Sequence, residues 1–361
     1  MLAITTQYLK THARAAAIYA AVFVLGAGSM WLLIGHPSSA AMAQALRGKM
    51  VRENDSAYSL VNPVLLCDTG TEEAFPELRP LKDTMSALIA SQVTSDSVDN
   101  VSLYLRSLKS GRWFEINGDE KYSPASMLKV FVMMAYDKEA EDDSSVLQKF
   151  VSFEASPNPA ADTPGQIIPH LVGGRTYSVE ALLRQMVVYS DNDALNTLVD
   201  NFDKKTLADF NDIFTELNIP SPATANEQGM DFMSVNEYST LYRLLYSATY
   251  LTPEDSEKAL MLLSETSYHD GIVAGVPATT TVAHKFGVAR AAAQNGAPEV
   301  DELHDCGVVY VPNHPYLLCV MTRGSNYAEL QQDIQAISKA AYQGLTEFYK
   351  TLDAASTTTT K

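Results

Sequence analysis

Residues 126–135 read SMLKVFVMMA, a serine and a lysine at the start of an uninterrupted apolar run. The run is apolar on every side of a helix, which predicts a helix buried at the centre of a domain. Residues three apart share a helix face, so Lys129 should lie over the Ser126 hydroxyl. A serine becomes nucleophilic when a base takes its proton, and a desolvated lysine can be that base. The stretch predicts a nucleophile and its base, with a helix cap followed by a surface lysine as the alternative.

A second motif, Ser190-Asp191-Asn192, follows an apolar stretch and precedes a predicted helix. The Ser190 hydroxyl can relay a proton from the first pair to a leaving amine. The Asn192 amide can hold a substrate carbonyl and fix the lysine. A local turn or helix cap explains the same three residues without any chemistry.

A third motif, Lys285-Phe286-Gly287, ends a predicted strand. A lysine there supplies positive charge for a substrate carboxylate, and glycine lets another backbone approach closely. The next amide, at Val288, can pair with the Ser126 amide as an oxyanion hole. A strand-end lysine before a turn glycine is the ordinary alternative.

Strand patterns occur towards both ends of the chain, and helical patterns fill the middle. The predicted strands cover 101–105, 113–116, 281–285, 307–311 and 316–321, and the predicted helical segments cover 80–93, about 136–250 and 328–352. This order predicts an α+β fold in which an antiparallel sheet is flanked by N- and C-terminal helices, with an all-helical subdomain inserted at about 136–250.

Taken together and in this order, the three motifs resemble the class A β-lactamase and penicillin-binding-protein superfamily over about residues 80–352. That resemblance implies a serine hydrolase that needs no cofactor or metal and acts on a β-lactam or on a peptidoglycan stem peptide ending like D-Ala-D-Ala. It assigns Ser126 as acylated nucleophile, Lys129 as base, Ser190 as proton relay, Asn192 as substrate-amide contact and Lys285 as carboxylate-side charge.

The sequence departs from the family pattern in two places. Phe286 stands where the family has Thr or Ser, which removes a hydroxyl that binds the substrate carboxylate and adds bulk. The family also has a glutamate that activates the deacylating water. Glu216 is interpreted as the end of a helix, and Glu227, in the loop that follows, is the candidate for this base, with a solvated loop charge as the alternative. The alternatives are a penicillin-binding or DD-carboxypeptidase-like enzyme with slow deacylation, or a catalytically idle cell-wall-binding protein.

Residues 15–35 contain no charged side chain and are long enough to span a bilayer. We expect residues 1–36 to anchor the chain in the cell membrane with the catalytic domain outside the cytoplasm; cleavage near Ala41-Met42-Ala43, giving a secreted protein, is the alternative. A juxtamembrane linker is expected at 37–79 and a disordered tail at 353–361. The net charge of −17 argues against nucleic-acid binding, and we expect a monomer.

Two of the three cysteines, Cys306 and Cys319, flank a predicted hairpin that turns at residues 312–315. The hairpin would place them opposite each other. Two buried thiols and a cross-strand disulfide both fit, the second being possible in an exported protein.

Overall fold

The computed structural model describes residues 51–52, 58–66, 75–93, 97–155, 168–225, 231–291 and 300–358. The chain divides into two compact units, one of Gly48–Tyr349 and one of Met1–Arg47 with Lys350–Lys361. The first unit contains every site discussed below; of the second, only residues 350–358 are described. The predicted membrane segment at 1–36 lies outside the described residues, among which no helix is long and apolar enough to cross a bilayer.

The helices and strands of the described ranges include those predicted from the sequence, in the predicted order, together with four strands that were not predicted. The strands are β1 (Val51–Arg52), β2 (Val64–Leu66), β3 (Val98–Ser107), β4 (Trp113–Ile116), β5 (Phe150–Phe153), β6 (Arg175–Ser178), β7 (Thr281–Ala291), β8 (Val300–Tyr310) and β9 (Tyr316–Gly324). The helices are α1 (Arg79–Gln92), α2 (Lys129–Asp142), α3 (Ser145–Gln148), α4 (Val179–Val188), α5 (Asn192–Asp200), α6 (Lys204–Leu217), α7 (Pro222–Ala225), α8 (Val235–Ser247), α9 (Pro253–Ser264) and α10 (Tyr327–Thr358).

The main sheet of the described residues has five strands in the order β4-β3-β9-β8-β7, and every neighbouring pair is antiparallel. Strands from both ends of the sequence therefore meet in one sheet, as predicted. The β7 strand lies at one edge, where its free side faces the short 3-10 turn Ala125–Leu128. This placement brings the third motif of the sequence beside the first.

The two faces of the sheet are covered by different helices. Along β9, Leu317, Cys319 and Met321 join the core cluster that contains the central helix residues, so the residues between them face the opposite side. On that side α1 packs against α10, where a side chain at Gly344 would meet Leu81. The Ser107 hydroxyl also hydrogen-bonds the Tyr349 hydroxyl. These contacts agree with the predicted flanking of the sheet by N- and C-terminal helices.

The α2 helix is the centre of the helical region. Its residues from Lys129 to Tyr136 are all buried, which confirms the interpretation of an apolar run that is enclosed on all sides. Phe131 stacks on Phe214 of α6, with ring centroids 4.4 Å apart. The amphipathic helices around it begin at residues that cap them, such as Ser234 with its capping box at the start of α8.

Three expectations about the periphery need correction. The inserted subdomain is not all-helical, because β5 and β6 form an antiparallel pair within it. The expected linker at 37–79 is partly packed: the β1 and β2 strands pair, and the Glu257 carboxylate accepts hydrogen bonds from the Leu60 and Val61 amides, both at 2.8 Å. The α10 helix continues to Thr358, so residues 353–358 do not form the disordered tail expected at 353–361. The β1–β2 and β5–β6 pairs depend on contacts between separate segments of the chain, which a local sequence pattern does not encode.

The hairpin of β8 and β9 places Cys306 directly opposite Cys319, and the structure joins them by a disulfide. From the sequence, two buried thiols were the expected state and a disulfide the alternative. Cys306 is also the register partner of Lys285 on β7, so the disulfide lies beside the strand that carries the third motif. All three of these side chains are fully buried.

Candidate active site

Ser126, the predicted nucleophile, lies in a 3-10 turn, Ala125–Leu128, and α2 begins only at Lys129. In a 3-10 turn, side chains three residues apart are eclipsed, so Ser126 and Lys129 are aligned more closely than an α-helix would align them. Ala125 has a positive φ of 46°, a conformation that costs energy for a residue with a side chain. The Tyr238 hydroxyl donates to the Met127 carbonyl at 3.0 Å and holds the turn in place. No sequence signal indicated that tyrosine.

The Lys129 amine is surrounded by oxygen atoms. Its Nζ lies 2.9 Å from Ser126 Oγ, 2.5 Å from the Ser190 carbonyl, 3.2 Å from Ser190 Oγ and 2.7 Å from Asn192 Oδ1. The Ser190 carbonyl and the Asn192 oxygen can only accept, so they orient two N–H bonds of the amine. In the neutral amine this leaves the lone pair free to accept the proton of Ser126. The four contacts bring the first and second motifs together as predicted.

Burial lowers the pKa of Lys129 to about 7, and the Asp191 carboxylate opposes this shift in part. The side chain is fully buried, so the charged ammonium loses most of its hydration. A substantial share of the amine is therefore neutral near pH 7, which is the protonation state that a general base requires.

Ser190 is positioned by the link between two helices. The α4 helix ends at Val188 and α5 begins at Asn192, and Ser190 between them has a positive φ of 58°. Asp191 caps α5, where its Oδ1 accepts from the amides of Asp193 and Ala194 at 2.7 and 3.1 Å. The capping interpretation is thus correct for Asp191. Ser190 and Asn192, on either side of it, both point to Lys129.

Lys285 completes a chain of polar groups. Its Nζ donates to Ser190 Oγ at 2.8 Å and to the Phe286 carbonyl at 3.0 Å, and it lies 4.1 Å from the centre of the Phe286 ring. Burial lowers the pKa of Lys285 well below its ordinary value, and the nearby Lys129 lowers it further. The Ser190 hydroxyl therefore lies between two buried amines, so protons can pass through it.

Gly287 is the point where β7 approaches the 3-10 turn that contains Ser126. A Cβ at this position would lie 2.8 Å from the Pro124 carbonyl and 2.9 Å from Met127 Cγ, which is too close for any side chain. Glycine is therefore required here by proximity, as the sequence predicted. Val288, the next residue, is partly exposed on the edge strand.

From the sequence, we expected the Phe286 side chain to add bulk at the substrate-binding edge of the site. The side chain is instead fully buried and stacks on Tyr268, with ring centroids 4.2 Å apart. Its register partner on β8 is Asp305, which accepts from His284 on the same face. Alternation along a strand would have placed Phe286 opposite to Lys285 and Gly287, and that signal was available in the sequence.

Two buried histidines near the site have structural contacts instead of contacts with Ser126. His284 bonds Asp305 at 2.7 Å, and His304 Nε2 bonds the Ser123 carbonyl at 3.0 Å. The helix α6 ends at Leu217, with Asn218 in the left-handed conformation, so Glu216 lies at a helix terminus as predicted.

Glu227 lies outside the described residues. Within the part of the chain that the structure describes, no carboxylate hydrogen-bonds Ser126, Lys129, Ser190 or Asn192. The described part of the site thus brings Ser126, Lys129, Ser190 and Asn192 together, while Glu227 stays a prediction.

Comparison with known proteins places this arrangement in context. A family described as the beta-lactamase enzyme family matches residues 80–345 of the chain. No curated protein matches the sequence. The matched range contains all three motifs and both the sheet and the helical region.

Solved structures share the fold at low sequence identity. A mutant of PBP-A, in an acyl-enzyme complex with penicillin G, is 22% identical with a TM-score of 0.60 over 75% of this chain and 97% of that chain. A beta-lactamase from Sphaerobacter thermophilus is 19% identical with a TM-score of 0.60 over 73% of this chain and 97% of that chain. A class A beta-lactamase representative from Bacteroides cellulosilyticus is 18% identical with a TM-score of 0.58 over 74% and 99%.

Proposed function

The chain belongs to the beta-lactamase enzyme family, and on that premise we propose that it is a serine hydrolase whose Ser126 is acylated by a β-lactam or by a D-Ala-D-Ala-like peptide. The observation that carries the proposal is the 2.9 Å contact between Lys129 Nζ and Ser126 Oγ in a site that favours the neutral amine. A structural lysine would gain nothing from such a position, because its charge is costly to bury without a carboxylate partner.

The acylation step follows from the contacts. Neutral Lys129 takes the Ser126 proton as Oγ attacks the carbonyl carbon, and the carbonyl oxygen becomes an oxyanion. The amides of Ser126 and Val288 are proposed to stabilise that oxyanion, which the close approach at Gly287 supports. The proton then passes from Lys129 through the Ser190 hydroxyl to the leaving nitrogen. The C–N bond breaks, and an ester on Ser126 remains.

Asn192 and Lys285 have supporting roles in this proposal. Asn192 fixes the Lys129 amine through Oδ1, and its side-chain amide is the proposed contact for the substrate's own amide. Lys285 polarises the Ser190 hydroxyl that it contacts. Any attraction that Lys285 exerts on a substrate carboxylate acts through its charge, since its donors already have partners in the protein.

Water must then release the acyl group, and Glu227 is the base that the sequence offers for that step. Without a carboxylate aligned with the ester, hydrolysis is expected to be slow, as in a penicillin-binding or DD-carboxypeptidase-like enzyme.

We further propose that the enzyme acts outside the cytoplasm, attached to the membrane by residues 15–35. The charge-free length of that segment and the Cys306–Cys319 disulfide support this location.

The direct test is to incubate the protein with a labelled penicillin and to identify the modified peptide by mass spectrometry. We expect a covalent adduct on Ser126. A persistent adduct would favour the penicillin-binding mode, and rapid turnover without an accumulating adduct would favour β-lactam hydrolysis. If neither an adduct nor hydrolysis is found, the proposed function is wrong and the idle wall-binding alternative is favoured.

The acylation rate should depend on pH through the Lys129 amine, whose pKa is about 7. Because the base must be neutral, the rate should reach a plateau above that pH and fall about tenfold for each pH unit below it. Stopped-flow measurement of labelling from pH 5.5 to 8.5 checks this. A rate that stays constant across the range would exclude Lys129 as the titrating base.

A free substrate carboxylate should contribute little to acylation. The Lys285 donors are occupied within the protein, and the side chain at Phe286 offers no hydroxyl. A charged hydrogen bond would normally change the rate by more than about tenfold, so penicillin G and its methyl ester should acylate at rates within about tenfold of each other. Measuring the second-order rate constants for acylation by the two compounds tests this prediction. An ester that reacts about a hundredfold more slowly would show a carboxylate site that these contacts do not reveal.

A further inference from the structure

A cavity of about 470 Å³ lies between α2, α4 and α9, and none of the proposed catalytic residues lines it. Its volume is in the range of small-molecule sites in proteins. Much of the wall is apolar and consists of Met133, Leu147, Leu183, Met261 and Leu262. Met261 is half exposed at 50%, which is unusual for so large an apolar side chain and shows that the cavity reaches the surface.

Asp137 lines the cavity from α2, and among the described residues its carboxyl makes no hydrogen bond or ion pair. Burial raises the pKa of Asp137 to about 8; Asp255 and Glu141 raise it further, and Lys258 opposes them. The Asp137 side chain is partly exposed, so a ligand in the cavity can reach its carboxyl group.

The two basic residues that line the cavity are already paired with acidic residues. Arg184 on α4 pairs with Glu265, and Lys258 on α9 pairs with Glu254 and Asp255 at 2.9 and 3.1 Å. Of the residues that line the cavity, three are acidic and two are basic, namely Asp137, Glu180, Glu265, Arg184 and Lys258. Both basic residues of the lining are therefore paired with other carboxylates, which leaves Asp137 as a site for a cationic ligand.

We propose that this cavity binds a small amphipathic primary amine, with its apolar body against Met133 and Leu262 and its ammonium on the Asp137 carboxylate. The ammonium would donate a charge-assisted hydrogen bond to the group that otherwise has no partner. The apolar wall removes the alkyl chain from water. The site is separate from Ser126 and does not depend on the acylation chemistry.

The test compares three matched probes, hexylamine, hexan-1-ol and hexanoate, by isothermal titration calorimetry on the full-length protein. Hexylamine should bind at least about tenfold more tightly than hexan-1-ol, since the charged hydrogen bond is worth that factor or more, and hexanoate should bind more weakly than either. Hexylamine affinity should also rise between pH 6.5 and 8.5, because at lower pH the ammonium must displace a proton from Asp137. Hexanoate that binds as tightly as hexylamine would overturn the proposal.

Substitutions at three residues that line the cavity test whether the ligand binds there. Asp137→Asn should weaken hexylamine binding by about tenfold or more while leaving hexan-1-ol unchanged. Glu180→Gln, on the rim of the same cavity, is the matched control and should change hexylamine affinity less than about threefold. Ala181→Trp, at an exposed position that lines the cavity, should block all three probes. Hexylamine affinity that is unchanged in both Asp137→Asn and Ala181→Trp would show that the ligand binds elsewhere.

Discussion

Replacing Ser126 with alanine should abolish covalent labelling by penicillin while the protein stays folded. The Ser126 hydroxyl is the attacking atom of the proposed step, and among the described residues its one hydrogen bond is to Lys129. Losing that bond should change the free energy of unfolding by only about 1 kcal/mol. The adduct should therefore disappear from mass spectra while the denaturation midpoint moves little.

Ser123→Ala is the matched control for this experiment. Ser123 lies three residues earlier, and among the described residues its hydroxyl makes no hydrogen bond, although its amide bonds Glu302 and its carbonyl bonds His304. Labelling of this variant should equal that of the wild type. If Ser126→Ala is still labelled at the wild-type rate, the nucleophile is another residue. If neither wild type nor variant is labelled and both bind the ligand equally, the protein is a wall-binding relative that does not catalyse.

Replacing Lys129 with methionine should slow acylation by about a thousandfold, the middle of the range for loss of a general base. Methionine fills a similar buried volume but cannot take the Ser126 proton. The affinity for unreacted ligand should change little, since Lys129 acts on the nucleophile. The rate constant at saturating penicillin, measured by stopped flow, isolates this effect.

Two further variants separate the base from a merely structural lysine. Lys129→Arg keeps a positive charge and donors for Asn192 and Ser190, but arginine is never neutral in a protein, so it should not restore the rate. Lys138→Met lies on the same helix, where the native amine bonds Glu141 and the Tyr250 carbonyl, and it should leave acylation unchanged. A Lys129→Arg enzyme with near wild-type acylation would show that the lysine only supplies charge.

Local sequence signals located the proposed catalytic groups because the proposed chemistry depends on short spacings. The three-residue spacing of Ser126 and Lys129 determines that they share a face, and the 3-10 turn only tightens the alignment. The hairpin pattern around residues 312–315 likewise brought Cys306 opposite Cys319. Their oxidation state was open, because two facing cysteines can exist as thiols or as a disulfide. The β5 and β6 strands were missed because each is only four residues long and pairs across an intervening loop.

The sequence by itself determined which side chains could act and in what order they occur along the chain. Only the tertiary structure decided the burial, the partners and the proton affinity of these side chains. The pKa of Lys129 falls because the helix that bears it is enclosed on every side, and its partners Ser190 and Asn192 lie some sixty residues further along the chain, between α4 and the start of α5. The structure also buries Phe286 against Tyr268 and places Asp137 in a cavity where, among the described residues, its carboxyl makes no hydrogen bond or ion pair. Periodicity shows which face of an element is buried, whereas hydration, charge and proton affinity depend on what packs against that face.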